Sequence, residues 1–186
     1  LSQVGAEHYF RRYDVIGNEK LRRFIPEGAI RRLVMSPRRM QNVAQAETAF
    51  ATLTQNVARL IDAGVTVGVG SHDMPAPTGL GTHWEIWSFV EGGVPPLEAL
   101  RAATLHGAMI LGIEDQTGSI ERRKLADLLI LNDDPLQDIR ATIDIDAVVL
   151  GGTVRDGSTL ERRVPADLEP SRNEIEHPQP EDTAHE

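Results

Sequence analysis

His72, Asp73, His83 and Glu85 are the residues whose types and spacing could do chemistry, and all four lie in the stretch Leu60 to Trp87, LIDAGVTVGVGSHDMPAPTGLGTHWEIW. The chain contains no cysteine. Disulfides, thiolate catalysis and cysteine-ligated zinc are therefore excluded, and His, Asp and Glu remain as the strong metal ligands. Neutral imidazole can bind a metal or take a proton. Other chemistries fail on composition. Gly68-Val69-Gly70 would need a third glycine where Asp73 stands, which would set a carboxylate beside a pyrophosphate, and no Walker lysine follows. Ser71 is not in a G-x-S-x-G elbow, because position 69 is valine. His83 and Glu85 do not form H-E-x-x-H, and residues two apart do not share a helix face.

The surrounding pattern predicts how these residues are held. Phe50, Leu53, Val57, Leu60 and Ile61 fall on one stripe of a helix over 45–63, with Gly64 as its C-terminal stop. Val65, Val67 and Val69 alternate with Thr66, Gly68 and Gly70, the period of a strand. His72 and Asp73 thus follow a strand end, the usual seat of chemistry in α/β folds. Two helices are expected next. One runs over 83–91 to Gly92-Gly93; the other starts near Pro95-Pro96, carries Leu97, Leu100, Thr104, Ala108 and Leu111 on one side, and stops at Gly112. Beyond it, Leu128 to Leu131 and Ala147 to Leu150 read as strands, with Gly151-Gly152 turning into Thr153-Val154 as a hairpin.

The chain has 186 residues, enough for a substantial core. It begins at Leu1, which suggests a processed product or a piece of a longer chain, and leaves localisation open. No apolar run reaches transmembrane length, so no membrane segment is expected. A net charge of −9 argues against nucleic acid as a partner. Residues 1–43, with nine Lys or Arg against four acids, resist assignment and are read as a strand remnant followed by a loop excursion with one or two short helices. Residues 161–186, with eight acids against three Arg and four prolines nearby, are expected to be a disordered acidic tail.

Gly70-Ser71-His72-Asp73, Gly79-Leu80-Gly81-Thr82-His83-Trp84-Glu85, Pro96-Leu97-Glu98-Ala99-Leu100-Arg101-Ala102-Ala103-Thr104, and Gly118-Ser119-Ile120-Glu121 with Lys124-Leu125-Ala126-Asp127-Leu128 occur in that order. Together they resemble the C-terminal part of the amidohydrolase superfamily, and most closely its imidazolonepropionase-like group, including members fused to a β-propeller. The resemblance spans roughly residues 60–154. It implies an α/β fold: the C-terminal portion of a (β/α)8 TIM-type barrel over 1–112, with the valine segment as the eighth strand, and part of a small β-sandwich over 113–160. It further implies a metal-dependent hydrolase in which a divalent cation, zinc foremost, activates water to attack a C–N bond of a small-molecule amide or peptide-like substrate.

By that resemblance His72 and Asp73 are the candidate catalytic and metal residues, and His83 and Glu85 the candidate substrate-binding pair. The family's aspartate position holds His72 here, with Asp73 one step later. If the valines face the outer helices, His72 points into the barrel; if they point inward, Asp73 does. The family's Glu-x-Gly-Lys turn reads Glu121-Arg122-Arg123-Lys124, which removes the glycine. No His-x-His occurs, and a full barrel needs about 200 residues or more. Most metal ligands, and the N-terminal half of the barrel, are therefore expected outside this chain, which should be inactive alone. The competing reading is a non-catalytic binding or assembly module, with an incomplete barrel as its interface and a homo-oligomer as one outcome.

Plainer roles are expected elsewhere. His83 could instead bridge the loop to Glu85, Trp84 and Trp87 should pack, and Asp127 should fix a turn into the β-rich unit. His106 reads as a surface or second-layer residue, and His8 as surface or half-buried with no evident partner.

Overall fold

The structure, a computed structural model, describes residues 2–34, 43–71 and 79–163. Its helices are α1 (Ser2–Phe10), α2 (Glu19–Phe24), α3 (Glu27–Val34), α4 (Val43–Asp62), α5 (Leu80–Glu91), α6 (Pro96–Ala103) and α7 (Leu105–Leu111). Strands β1 (Leu128–Leu131), β2 (Ile145–Leu150) and β3 (Thr153–Asp156) follow, with a 3-10 helix over Ile139–Ile143 before β2.

The organising element is α5. Its residues Trp84 through Phe89 are all buried, as expected of a helix that is apolar on every side and must be surrounded by protein. Helices α1, α4 and α6 and the 3-10 helix pack around it. Tyr9 of α1 stacks on Trp84 with ring centroids 5.5 Å apart and meets Trp87 edge-on at 5.7 Å. The N-terminal segment is therefore helical, not the expected strand remnant. Ala6, His8 and Tyr9 form one buried face, and packing against α4 and α5 decides the conformation that local pattern left open. His8 does have partners. Its ring stacks on Phe50 at 3.8 Å, Nδ1 lies 3.0 Å from Glu47 Oε2, and Nε2 lies 3.0 Å from Glu91 Oε2, so one imidazole ties α1 to α4 and α5.

Helix α4 ends as expected. Gly64 has φ +80°, Val65 N–H donates to Leu60 O at 3.0 Å and Gly64 N–H to Ile61 O at 2.9 Å, the paired bonds of a glycine-terminated helix. The buried stripe differs from the expected one. Phe50 and Thr54 are buried and Val57, Ala58 and Ile61 pack on the core, whereas Leu53 and Leu60 are exposed. The second helix also differs, because it breaks at Thr104 (φ −131°, ψ −90°) into α6 and α7. The break resets the helical phase, so the small residues Ala99, Ala102 and Ala108 face inward while Leu97 and Leu111 are exposed.

The valine segment, residues 65–70, is not hydrogen-bonded into a sheet. A single strand must find a neighbour to be one, and among the described residues the only sheet is the antiparallel β1-β2-β3. The segment instead lies along α6, with Val69 N–H donating to Ala102 O at 3.0 Å. The C-terminal unit matches its reading more closely. Leu150 pairs with Thr153 across a Gly151-Gly152 turn, and Leu128 pairs with Val149. Asp127 Oδ1 accepts from Gly151 N–H at 2.7 Å, joining the entry of β1 to the hairpin turn. The described strands make one sheet. Most of the acidic tail lies outside the described residues, but its first residues are held: Arg163 N–H donates to Val154 O at 3.0 Å and its guanidinium reaches Asp146 and Asp156, each at 2.8 Å.

Arg123 occupies the glycine-type position of its turn, with φ +76°; Lys124 N–H donates to Glu121 O at 3.3 Å across it. A left-handed conformation costs a residue bearing Cβ roughly 1–2 kcal/mol. Arg123→Gly should therefore stabilise the chain by about 1 kcal/mol after the greater chain entropy of glycine is subtracted. A urea midpoint that does not rise in the variant would contradict this account of the turn.

Candidate active site

The loop that contains His72 and Asp73 follows Ser71, and described structure resumes at Gly79. Its two ends are close, since Ser71 Oγ lies 3.1 Å from Thr82 Oγ1 in the first turn of α5. His72 and Asp73 lie outside the described residues. His83 and Glu85 both lie on α5, but a separation of two residues turns them to different sides of the helix. Glu85 is buried. His83 is half-buried, and its Nδ1 lies 3.2 Å from Thr142 Oγ1 in the 3-10 helix. Trp87, one turn further along α5, donates its indole N–H to the same hydroxyl at 3.0 Å.

Sequence reasoning did not find Thr142. It lies 59 positions beyond His83, in no motif, and only the packing of the 3-10 helix against α5 brings it there. Trp84 and Trp87 pack in the core as expected. Glu91, near the end of α5, accepts from the Tyr9 hydroxyl at 3.1 Å and has Arg140 3.7 Å away. Burial, with the Glu91 charge adding to it, pushes the Tyr9 phenol well above its usual range, so Tyr9 serves only as a neutral donor. Among the described residues, no group of three or more His, Asp or Glu could hold a metal ion.

Burial, helped by the nearby positive charge of Lys20, lowers the His83 pKa to about 4. His83 is thus a neutral imidazole at physiological pH, able to accept a hydrogen bond or ligate a cation. A pH dependence follows from the sign of this shift. Above pH 6.5 the ring is neutral whether the chain is folded or not. Between pH 6.5 and 4 the unfolded chain takes up a proton that the folded one refuses, so stability falls as pH falls, and the loss is complete below 4. The expected loss is on the order of 2 kcal/mol, below the full linkage value because the ring is partly exposed. Urea midpoints for the wild type and His83→Gln should converge as pH drops through this window; parallel curves would rule out a buried neutral imidazole.

The chain is similar to known proteins over part of its length. The chain is 44% identical over 75 residues to adenine deaminase 4 of Rhizobium meliloti, covering 39% of this chain and 12% of that protein. It is 32% identical over 133 residues to the imidazolonepropionase of Geobacillus kaustophilus, covering 69% and 28%. Among solved structures, it resembles a Xaa-Pro dipeptidase with methionine bound in its active site, at 26% identity and a TM-score of 0.52, covering 82% of this chain and 33% of that one. The chain spans a third or less of the length of each of these relatives. None of the described helices is long and apolar enough to cross a membrane. Residues 24–155 match the amidohydrolase family, taking in α3 through β3, and this protein accordingly belongs to that family.

Proposed function

We propose that this chain is part of a metal-dependent amidohydrolase that hydrolyses a C–N bond in a small amide or peptide-like substrate. The observation that carries the reading is the family match over 24–155, which includes the loop of His72 and Asp73 and the start of α5. The relatives point to the bond type: a deaminase, an imidazolonepropionase and a dipeptidase. In this reading residues 1–112 are the C-terminal portion of a TIM-type barrel and 113–160 contribute to a β-sandwich completed elsewhere.

The donor types suit a divalent metal, zinc first among them, but their number falls short of a complete set. His72 and Asp73 would supply part of it, and among the described residues alone no group of three or more His, Asp or Glu could hold a metal ion. When bound, the metal supplies acidified water and a polarised carbonyl. The chain's own residues do the remaining work. Asp73 or His72 takes the proton released by the attacking water and returns it to the leaving nitrogen. His83, neutral and anchored by Thr142, accepts from a substrate N–H, and Glu85, buried on another side of α5, is the second candidate for substrate binding.

Exposed apolar side chains on α6 and α7, among them Leu97, Ile110 and Leu111, favour a covered surface in either of two readings: the missing barrel half, or a non-catalytic assembly module. One experiment separates them. The coding sequence upstream of Leu1 should contain a continuous frame with a His-x-His, and the complete protein with zinc should hydrolyse amide or dipeptide substrates, with activity abolished in the His72→Ala, Asp73→Ala double variant. A start codon just before Leu1, or no hydrolysis by the complete protein, would reject the enzyme reading; activity indifferent to the double variant would reject the roles of His72 and Asp73.

A further inference from the structure

The hydroxyl of Thr142 meets three groups. Trp87 Nε1 donates to it at 3.0 Å, the hydroxyl donates to Ile139 O at 3.0 Å, and His83 Nδ1 lies 3.2 Å away. A threonine hydroxyl has one hydrogen and two lone pairs, an indole N–H can only donate, and a carbonyl oxygen can only accept. Trp87 therefore occupies one lone pair and Ile139 receives the hydrogen. What remains for His83 is the second lone pair, and that contact bonds only if Nδ1 carries hydrogen.

We infer that Thr142 is a positioning residue that holds His83 in the Nδ1–H tautomer and so leaves its Nε2 as a bare acceptor. The inference rests on reading His83 as a substrate-facing residue, and it deepens that role. A bare Nε2 accepts from an N–H donor on the substrate and cannot donate to a developing oxyanion, which assigns His83 to the nitrogen side of the scissile group. Histidine in water favours the opposite tautomer, so the contact must impose its choice. Thr142 is suited to that. It is buried, it sits on a 3-10 helix rather than a mobile side chain terminus, and Trp87, packed four residues along α5 from His83, fixes the hydroxyl from a second direction.

The test is long-range proton–nitrogen NMR of His83 in the full chain, with its signals assigned through His83→Gln. In the wild type, Nε2 should show the shift of an unprotonated ring nitrogen and Nδ1 that of a protonated one. Thr142→Val should move the tautomer ratio about tenfold toward Nε2–H, the size expected for one hydrogen bond, and Thr142→Ser should restore it. Trp87→Phe disturbs the same packing but keeps the lone pair for His83, so it should leave the tautomer unchanged. A protonated Nε2 in the wild type, or an unchanged ratio in a folded Thr142→Val, would overturn the inference, and the wild-type measurement needs no variant to fold. The two readings fail separately. A complete protein that shows the Nδ1–H tautomer but no hydrolysis defeats the proposed activity, whereas hydrolysis with a protonated Nε2 defeats only the role of Thr142.

Discussion

Replacing Trp84 with alanine should cost the fold about 3–5 kcal/mol, the range for deleting a fully buried indole. Trp84 is 2% exposed, and its ring serves three others. Tyr9 stacks on it at 5.5 Å, and Phe10 and Tyr13 meet it edge-on at 5.1 and 6.3 Å. Truncation would leave a cavity that α1 cannot fill, because Tyr9 is also held by its hydroxyl on Glu91 and by its contact with Trp87. Native domains are stable by roughly 5–15 kcal/mol, so a loss of this size removes a large share. The measurement is a urea transition compared with Leu111→Ala, whose side chain is 73% exposed and should change stability by less than about 0.5 kcal/mol. Equal midpoints for the two variants would mean that α5 is not the centre of the core. The effect would reach the candidate site as well, since Trp84 lies between His83 and Glu85.

What the sequence made legible was local. Gly64 and Gly112 stop their helices because positive φ suits glycine, Pro96 starts α6 because its missing N–H costs nothing there, and the Gly151-Gly152 hairpin needs only its own turn chemistry. The features that could not be read depend on distant partners. His8 looked unpartnered because Glu47 and Glu91 lie far along the chain. The valine segment has strand periodicity, yet periodicity cannot supply the neighbour that makes a strand. The apolar stripe of α6 and α7 follows the phase of one continuous helix, which the non-helical backbone at Thr104 interrupts. At the site, the sequence singled out His83 by type, but its neutral state comes from burial and its anchor from Thr142. Arg123 is the opposite case: it stands where the resemblance expects a glycine, and its φ of +76° is costly for a residue bearing Cβ.

The same dependence on a distant partner makes Gly92 the second position where a small change should have a large effect. Its φ of −77° and ψ of −7° suit any residue, so conformational freedom does not explain the glycine. Space does. A Cβ at Gly92 would stand 2.4 Å from the carbonyl oxygen of Thr54, 2.5 Å from its carbonyl carbon and 2.8 Å from its Cβ. These atoms belong to α4 and have little freedom: Thr54 is buried, and its Oγ1 donates to Phe50 O at 3.0 Å. Gly92→Ala must therefore drive the C-terminal end of α5 and the middle of α4 apart, with an expected cost of about 3 kcal/mol, at the upper end for overpacking. Gly28 in α3 is the control, because a Cβ there meets nothing within 4 Å and Gly28→Ala should stabilise by about 0.5–1 kcal/mol through helix propensity alone. Thermal or urea melting of the two variants should move in opposite directions. A Gly92→Ala protein as stable as the wild type would show that α4 and α5 do not cross at Thr54.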